Sequence, residues 1–530
     1  MLPLRVIFLW HYHQPDYRWE GQALLPWVRL RAVKDYAVLF KLLGELPRLR
    51  CVFNIVPSLL VQLSAYAEGV LTDVAEHLSS RSSRIPPEGT DRYWRMLQPP
   101  SPLQQRFPEL SALWQRLQSG SLSPQEWIDT LMWTQLVWTF PYRQRFPVVD
   151  EWFQRGSGYR CEELQLLLQL QRLLTREAFQ ALREGLHQEH IELSCSPFYH
   201  PILPLLCDTE SARESDPGIS LPRSSFRFPA DAWVQCARAR QCCWELVGVV
   251  PDGLWPPEGA VSMEALHQMV LAGVRWAATD EALLFASLPT APRVQKYLPH
   301  RIRTSAGELA LFFRDRELSD AISFQYGAWE SDRAVEDICQ RLREIRAELV
   351  RSYGESVLRT AAVMIALDGE NCWDSYPDNG LDFLRSLADR LHAEEWVTTV
   401  TCREVLAGSW HTFQRLSVLR TGSWVSASLR IWIGTPGHNA AWEALCQARE
   451  LVEKSRYRLS SAQWRQALEH LLVAEGSDWF WWRSPEHPTP AAPLFERLFQ
   501  LHVERARQCV EEKWDGWQRE GAEEGSVQIP

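Results

Sequence analysis

The sequence contains no CxxC pair and no cysteine spacing that closes a zinc knuckle, which removes the common structural-zinc and dithiol frameworks. Its twelve cysteines, Cys51, Cys161, Cys195, Cys207 and Cys372 among them, are scattered along the chain, as free thiols of a reducing cytoplasm are. There is no run of eighteen uncharged apolar residues, and no small-residue cleavage site accompanies the apolar first ten positions. Neither a membrane partner nor export is therefore expected, and the expected location is cytoplasmic. Positive charge is not in excess either: 56 Lys and Arg against 66 Asp and Glu leave a net charge of -10. With no basic stripe to follow a phosphate backbone, nucleic acid is not an expected partner. A neutral or cationic substrate remains.

What the sequence does have is length, apolar content and tryptophan. With 530 residues, 46% of them hydrophobic, the chain can bury a large core. The 26 tryptophans exceed what a core alone asks for. Clusters such as DWFWWRS, Asp478 to Ser484, offer flat apolar faces with a polar edge, on which sugar rings stack.

Seven short apolar runs end abruptly in polar or aromatic residues: LRVIFLW from Leu4, CVFNIV from Cys51, HIELSCS from His190, DGLW from Asp252, GVRWAAT from Gly273, LALFFRD from Leu309 and AAVMIALD from Ala361. Several are apolar on both faces, as parallel strands covered on both sides must be. Helical periodicity follows most of them, for example after Pro229, Ser262 and Ala334. The alternation predicts a parallel α/β architecture, and seven such strands would close a barrel one strand smaller than the eight-stranded form, with functional groups on the loops after the strands. Residues 62–186 break the alternation: helical stretches are joined by the Pro-rich connectors RIPPEGT and LQPPSPLQQ, which reads as a helical insertion. A barrel over 1–400 is expected, followed by a C-terminal α-helical domain over 401–530, with a frayed tail from Glu520.

Chemistry concentrates at the strand ends. In FLWHYHQPDY, an apolar strand runs into His11, His13 and Gln14, with Pro15 fixing the turn. Two imidazoles on alternate strand residues point the same way and could share a zinc ion, act as bases or cradle a ligand. No HExxH or HxxxH partner supplies further metal ligands, so no metal and no cofactor is expected. Glu258 follows a strand and two prolines that stiffen its loop. Asp368 ends a wholly apolar strand beside Gly369, Glu370 and Trp373, surroundings that raise a carboxyl pKa and suit a general acid. HIELSCSPFYHPILPLL adds Glu192 and His200 on or just past the third strand.

Taken together, HYHQP, IELSCSPFYHPILPLL, GLWPPEGAVS, ALDGENCW and EGSDWFWW resemble, in order, the motifs of glycoside hydrolase family 57, whose members act on α-glucans. LDGENCWDSYP and WPPEGAVS look like the amylase and amylopullulanase branch and unlike the glycogen-branching one. The resemblance implies a (β/α)7 barrel followed by a helical domain, with Glu258 as nucleophile and Asp368 as general acid/base of a retaining mechanism. It further implies that His11, His13 and Gln14 bind sugar hydroxyls. Glu192 would join them in the neighbouring subsite, Trp255 and Trp373 would be its walls, and Asp478 and Trp481 would reach in from the helical domain. FRDRELSD also looks like family sequence, so Arg314 and Asp315 either line the mouth or form a strand-end salt bridge. The reading is an α-glucan hydrolase acting on α-1,4 and α-1,6 bonds. Its alternatives are a 4-α-glucanotransferase using the same two acids and a metal-dependent barrel hydrolase such as a deacetylase or amidohydrolase.

Overall fold

A computed structural model describes residues 2–80 and 90–511. Most of the RIPPEGT connector and the tail from Glu520 lie outside the described residues.

Seven strands form the barrel: β1 Leu4–Tyr12, β2 Cys51–Ile55, β3 Ile191–Cys195, β4 Gly253–Leu254, β5 Trp276–Asp280, β6 Gly307–Arg314 and β7 Ala362–Asp368. Each expected run supplies one of them. Neighbours pair in parallel from β1 through β6. The ring closes where β7 pairs along its whole length with β1 and, through Met364 and Arg314, with β6. The last seam is thin.

Alternation along the strands sorts side chains into two sets. On β1, Val6, Phe8, Trp10 and Tyr12 belong to the outer core shared with the helices, while Ile7 and Leu9 belong to a second cluster inside the barrel. Val52, Ala278, Ala310, Phe312, Ala362, Met364 and Ala366 join that lumen, and Trp255 and Trp276 fill it. Small residues make room for the two indoles: a Cβ on Gly253 would sit 1.8 Å from the Trp276 ring. By the same alternation His11 and Asp368, paired in register across β1 and β7, emerge at the top of the lumen, at the carboxyl ends of the strands.

Between β2 and β3 runs a helical insertion from Pro57–Glu68 to Cys161–Leu186. The long last helix packs its apolar stripe, Leu164, Leu167, Leu174, Ala178 and Leu182, back against the barrel's outer layer. The helical region at the other end is a bundle of Pro436–Ser455, Ser461–Ala474 and Ala492–Glu511. Barrel structure runs on past residue 400, however. Strand Val397–Thr399 pairs with β1, helix Cys402–Ser409 plugs the lumen floor with Cys402, Val405 and Leu406, and Gln414–Leu416 pairs with the hairpin strand His300–Thr304. A division at 400 cuts through these contacts, because helical periodicity alone does not say which layer a helix joins.

Candidate active site

A cavity of about 720 Å³ opens over the carboxyl ends of the strands. Three parts of the chain line it: strand-end loops with His11, His13, Gln14, Glu258, Asp368 and Glu370; the segment between β1 and β3 with Trp27, Arg31 and Trp138; and the C-terminal region with Asp478, Trp481, Trp482 and His487.

Glu258 sits in a one-turn 3-10 segment, Pro257–Gly259, with a left-handed backbone at φ 57. A non-glycine residue there is strained by about 1–3 kcal/mol, and the turn is held by its surroundings. Trp424 N–H donates to the Glu258 carbonyl at 3.0 Å, and the Thr279 hydroxyl donates to Gly259 O at 2.6 Å. The Trp424 indole N–H then donates to Glu258 Oε2 at 2.8 Å, leaving the other carboxyl oxygen uncommitted. Burial first, and the charge of Asp368 second, push Glu258 up to about 8. Glu258 therefore holds its proton at neutral pH.

The two histidines differ in kind. His11 is held by Asn54, whose Oδ1 lies 2.6 Å from Nδ1. Burial lowers its pKa to about 4, so the ring is neutral, donates through Nδ1–H and leaves Nε2 as an acceptor. In His13, burial works against the charge, yet the Asp478 carboxylate, 2.9 and 3.0 Å from Nε2, raises its pKa above the ordinary value. Gln14 donates to Glu370 at 2.6 Å and accepts from the Tyr17 hydroxyl at 2.9 Å. Glu370 also accepts from the His13 backbone N–H at 3.1 Å and from the Tyr36 hydroxyl. Burial pushes it up to about 7.

His11, His13, Gln14, Glu258, Asp368, Asp478 and Trp481 thus meet in one cleft, and five other expected site residues do not line it. Glu192 is the second residue of β3 and lies on the lumen floor, accepting from Trp276 Nε1 and from the Arg403 backbone N–H, both at 2.8 Å. Parallel strands carry their sites at the carboxyl end, and Glu192 is at the wrong one. Trp255 fills the lumen below His11. Trp373 faces outward, packed on Trp10 at 5.7 Å, because the strand-end loop has turned it into the helical layer. Arg314 donates to Asp280 at 2.8 Å and lies over the Trp424 ring at 4.8 Å, backing the indole that holds Glu258. Asp315 caps helix Arg316–Phe324 and pairs with Lys296 at 2.9 Å. The strand-end salt bridge, rather than the mouth, is where this pair of residues belongs.

Glu370, Asn54 and Trp424 are site residues that sequence reasoning missed. Glu370 was within reach, two positions after Asp368 in the same DGE motif. Trp424 sits in no motif, and only the fold brings it to Glu258.

His13, His200 and Asp478 place three potential metal-ligand atoms within 4.8 Å of one another. Their geometry does not suit an ion. The His13 and His200 rings are stacked, centroids 3.7 Å apart and 18° from parallel, so their in-plane lone pairs cannot converge on one centre, and both Asp478 oxygens already face His13.

The Glycosyl hydrolase family 57 model matches residues 7–418. The chain belongs to this family. No curated protein matches it by sequence. Among solved structures it is similar to an α-amylase from Thermotoga maritima (TM-score 0.61, 14% identity, covering 96% of this chain and 93% of that one). It is also similar to a branching enzyme from Thermococcus kodakaraensis (0.60, 16%, 96% and 90%) and a 4-α-glucanotransferase from Thermococcus litoralis (0.52, 15%, 95% and 60%). At these identities the likeness is one of fold. Family membership makes this chain a member of a glycoside hydrolase family. Among the described residues no helix is long and apolar enough to cross a membrane.

Proposed function

We propose that this family 57 protein is a retaining α-glucan hydrolase of the amylase or amylopullulanase type, with Glu258 as nucleophile and Asp368 as general acid/base. The observation that carries the reading is the pair itself: two carboxyls on the ends of different barrel strands, β4 and β7, line one cleft, and the charge of Asp368 acts on Glu258. The mechanism requires Glu258 as the carboxylate and a proton on Asp368 when sugar binds. His13, whose protonated form Asp478 favours, supports that arrangement because its charge stabilises the carboxylate of Glu258. The free Glu258 oxygen then attacks the anomeric carbon as the Asp368 proton passes to the departing glycosidic oxygen, leaving a glycosyl ester on Glu258. Water, deprotonated by Asp368, attacks that ester from the opposite face and restores both acids. His11 Nε2, Gln14 and the His13–Asp478 pair supply acceptors and donors for the sugar in the adjacent subsite.

One observation favours the transferase alternative. Trp27, Trp138, Trp424, Trp481 and Trp482 line the same cleft, and aromatic faces that hold an acceptor sugar let it compete with water for the intermediate. Incubation with amylose, pullulan and maltooligosaccharides separates the readings. Hydrolysis gives only shorter products, transfer gives longer ones as well, and no reaction on any of the three overturns the proposal.

A further inference from the structure

His200 has no part in the chemistry above and does not line the cleft, yet it lies at the junction of everything that does. It is 1% exposed. Its backbone is left-handed at φ 58, a conformation a histidine adopts under constraint. Its ring stacks on His13 at 3.7 Å and faces His11 at 5.3 Å. Nδ1 lies 2.9 Å from the Ser477 hydroxyl, the Ser477 N–H donates to the His200 carbonyl at 3.0 Å, and Pro201 forms a β-bridge with Gly476. Ser477 immediately precedes Asp478, which is bonded to His13. The contacts close into a ring, His13 to Asp478, along the chain to Ser477, across to His200 and back to His13. It joins the end of β1, the loop after β3 and the C-terminal region.

We propose that His200 is a positioning residue: locked by Ser477 and stacked on His13, its imidazole holds the His13–Asp478 pair in the geometry that meets the sugar. The inference rests on the proposed function for its sugar, and not for its geometry. His200 Nε2 has no hydrogen-bond partner, and burial, with His13 and His11 next to it, keeps the ring neutral, its pKa well below the ordinary value. A neutral plate can lie flat against His13, whose protonated form Asp478 favours, where a second cation could not. The charged and titratable groups around His13 are Asp478, Glu370 and Glu258, with His11 and His200 as the neighbouring rings.

The test reads His13 directly, by NMR titration of the full-length protein labelled with 13C-histidine, the signal being assigned by its loss in His13→Gln. His200→Asn tolerates the left-handed backbone and keeps an amide for Ser477, but removes the stacked ring. His200→Phe keeps a ring and loses the hydrogen bond. In each, the His13 midpoint is expected to fall toward the ordinary value of about 6.5 as Asp478 loosens, and kcat/KM on maltooligosaccharides to drop about tenfold or more through a raised KM. Should neither variant fold, Ser477→Ala, which deletes a single hydroxyl, is read the same way. A midpoint that stays in place or rises in a folded variant overturns the proposal. If the wild-type protein acts on no glucan, the functional reading fails, and the His13 titration still decides what His200 does.

Discussion

At Glu258 the backbone is strained and the carboxyl is held from one side by Trp424, so the two proposed acids fail differently when removed. Glu258→Ala abolishes the glycosyl ester, and activity on amylose should fall by several orders of magnitude. With an activated α-glucoside and azide the anion occupies the vacated side, and the product should be the β-glycosyl azide. Asp368→Ala still forms the ester from an activated substrate, and azide should then release the α-glycosyl azide. Product stereochemistry by NMR checks both, and azides of the same configuration from the two variants contradict the assignment. The raised pKa of Glu258 also has a consequence for stability. Its folded value of about 8 lies above the ordinary 4.5, so the folded protein binds more protons than the unfolded chain between those limits. Its contribution is present below pH 4.5 and is lost as pH rises toward 8. Glu258→Gln, which cannot ionise, should be more stable than wild type at pH 8, by roughly 4 kcal/mol, with the gap closing toward pH 4.5. Calorimetry across that range measures it.

Among the elements, β3 and β4 show how the barrel separates stability from chemistry. Glu192 is the second residue of β3 and lies on the lumen floor, where its carboxylate meets Trp276 and the amino end of helix Cys402–Ser409. Burial raises its pKa, so its contribution also weakens as pH rises above the ordinary carboxylate range. Glu192→Gln should change the melting temperature and leave KM for maltooligosaccharides at the wild-type value; a raised KM would return Glu192 to the subsite. In β4, only two residues long, Gly253 is where the Trp276 ring crosses the backbone. Gly253→Ala leaves that ring nowhere to go and should destabilise the barrel by about 3 kcal/mol or more, seen as a lower melting temperature and denaturation midpoint.

For the whole molecule, the cleft exists only where barrel, insertion and C-terminal region converge. The Gln235 side chain helps bind two of these together, accepting from the Tyr199 N–H at 3.0 Å and donating to Glu475 at 2.9 Å. The Arg449–Asp231 pair, with contacts of 2.7 and 3.0 Å, is a second such tie. The proposed two-carboxylate mechanism needs no Lewis acid. Exhaustive EDTA treatment should leave glucan turnover unchanged, and activity lost to EDTA and regained with zinc would revive the metal-hydrolase alternative.

Strand order and strand number were legible in the sequence because buried parallel strands must be apolar on both faces, and that requirement leaves a mark in seven short runs. His11, His13, Glu258 and Asp368 were legible for a related reason: each stands where such a run stops, and a polar group at that point has only the barrel mouth to enter. What lay within a strand or well beyond one was not. Whether Glu192 stands at the top or the bottom of β3 depends on register against β2 and β4, and whether Trp373 faces cleft or helices depends on how a loop turns after its strand. Trp424 and Ser477 reach the site from 166 and 277 residues away from the partners they hold, Glu258 and His200, and no local pattern encodes such a meeting. Local sequence determined which segments are strands and where their chemistry begins, since that follows from burial alone. Tertiary structure decided which side chains share the cleft, since that follows from packing between segments distant in the chain.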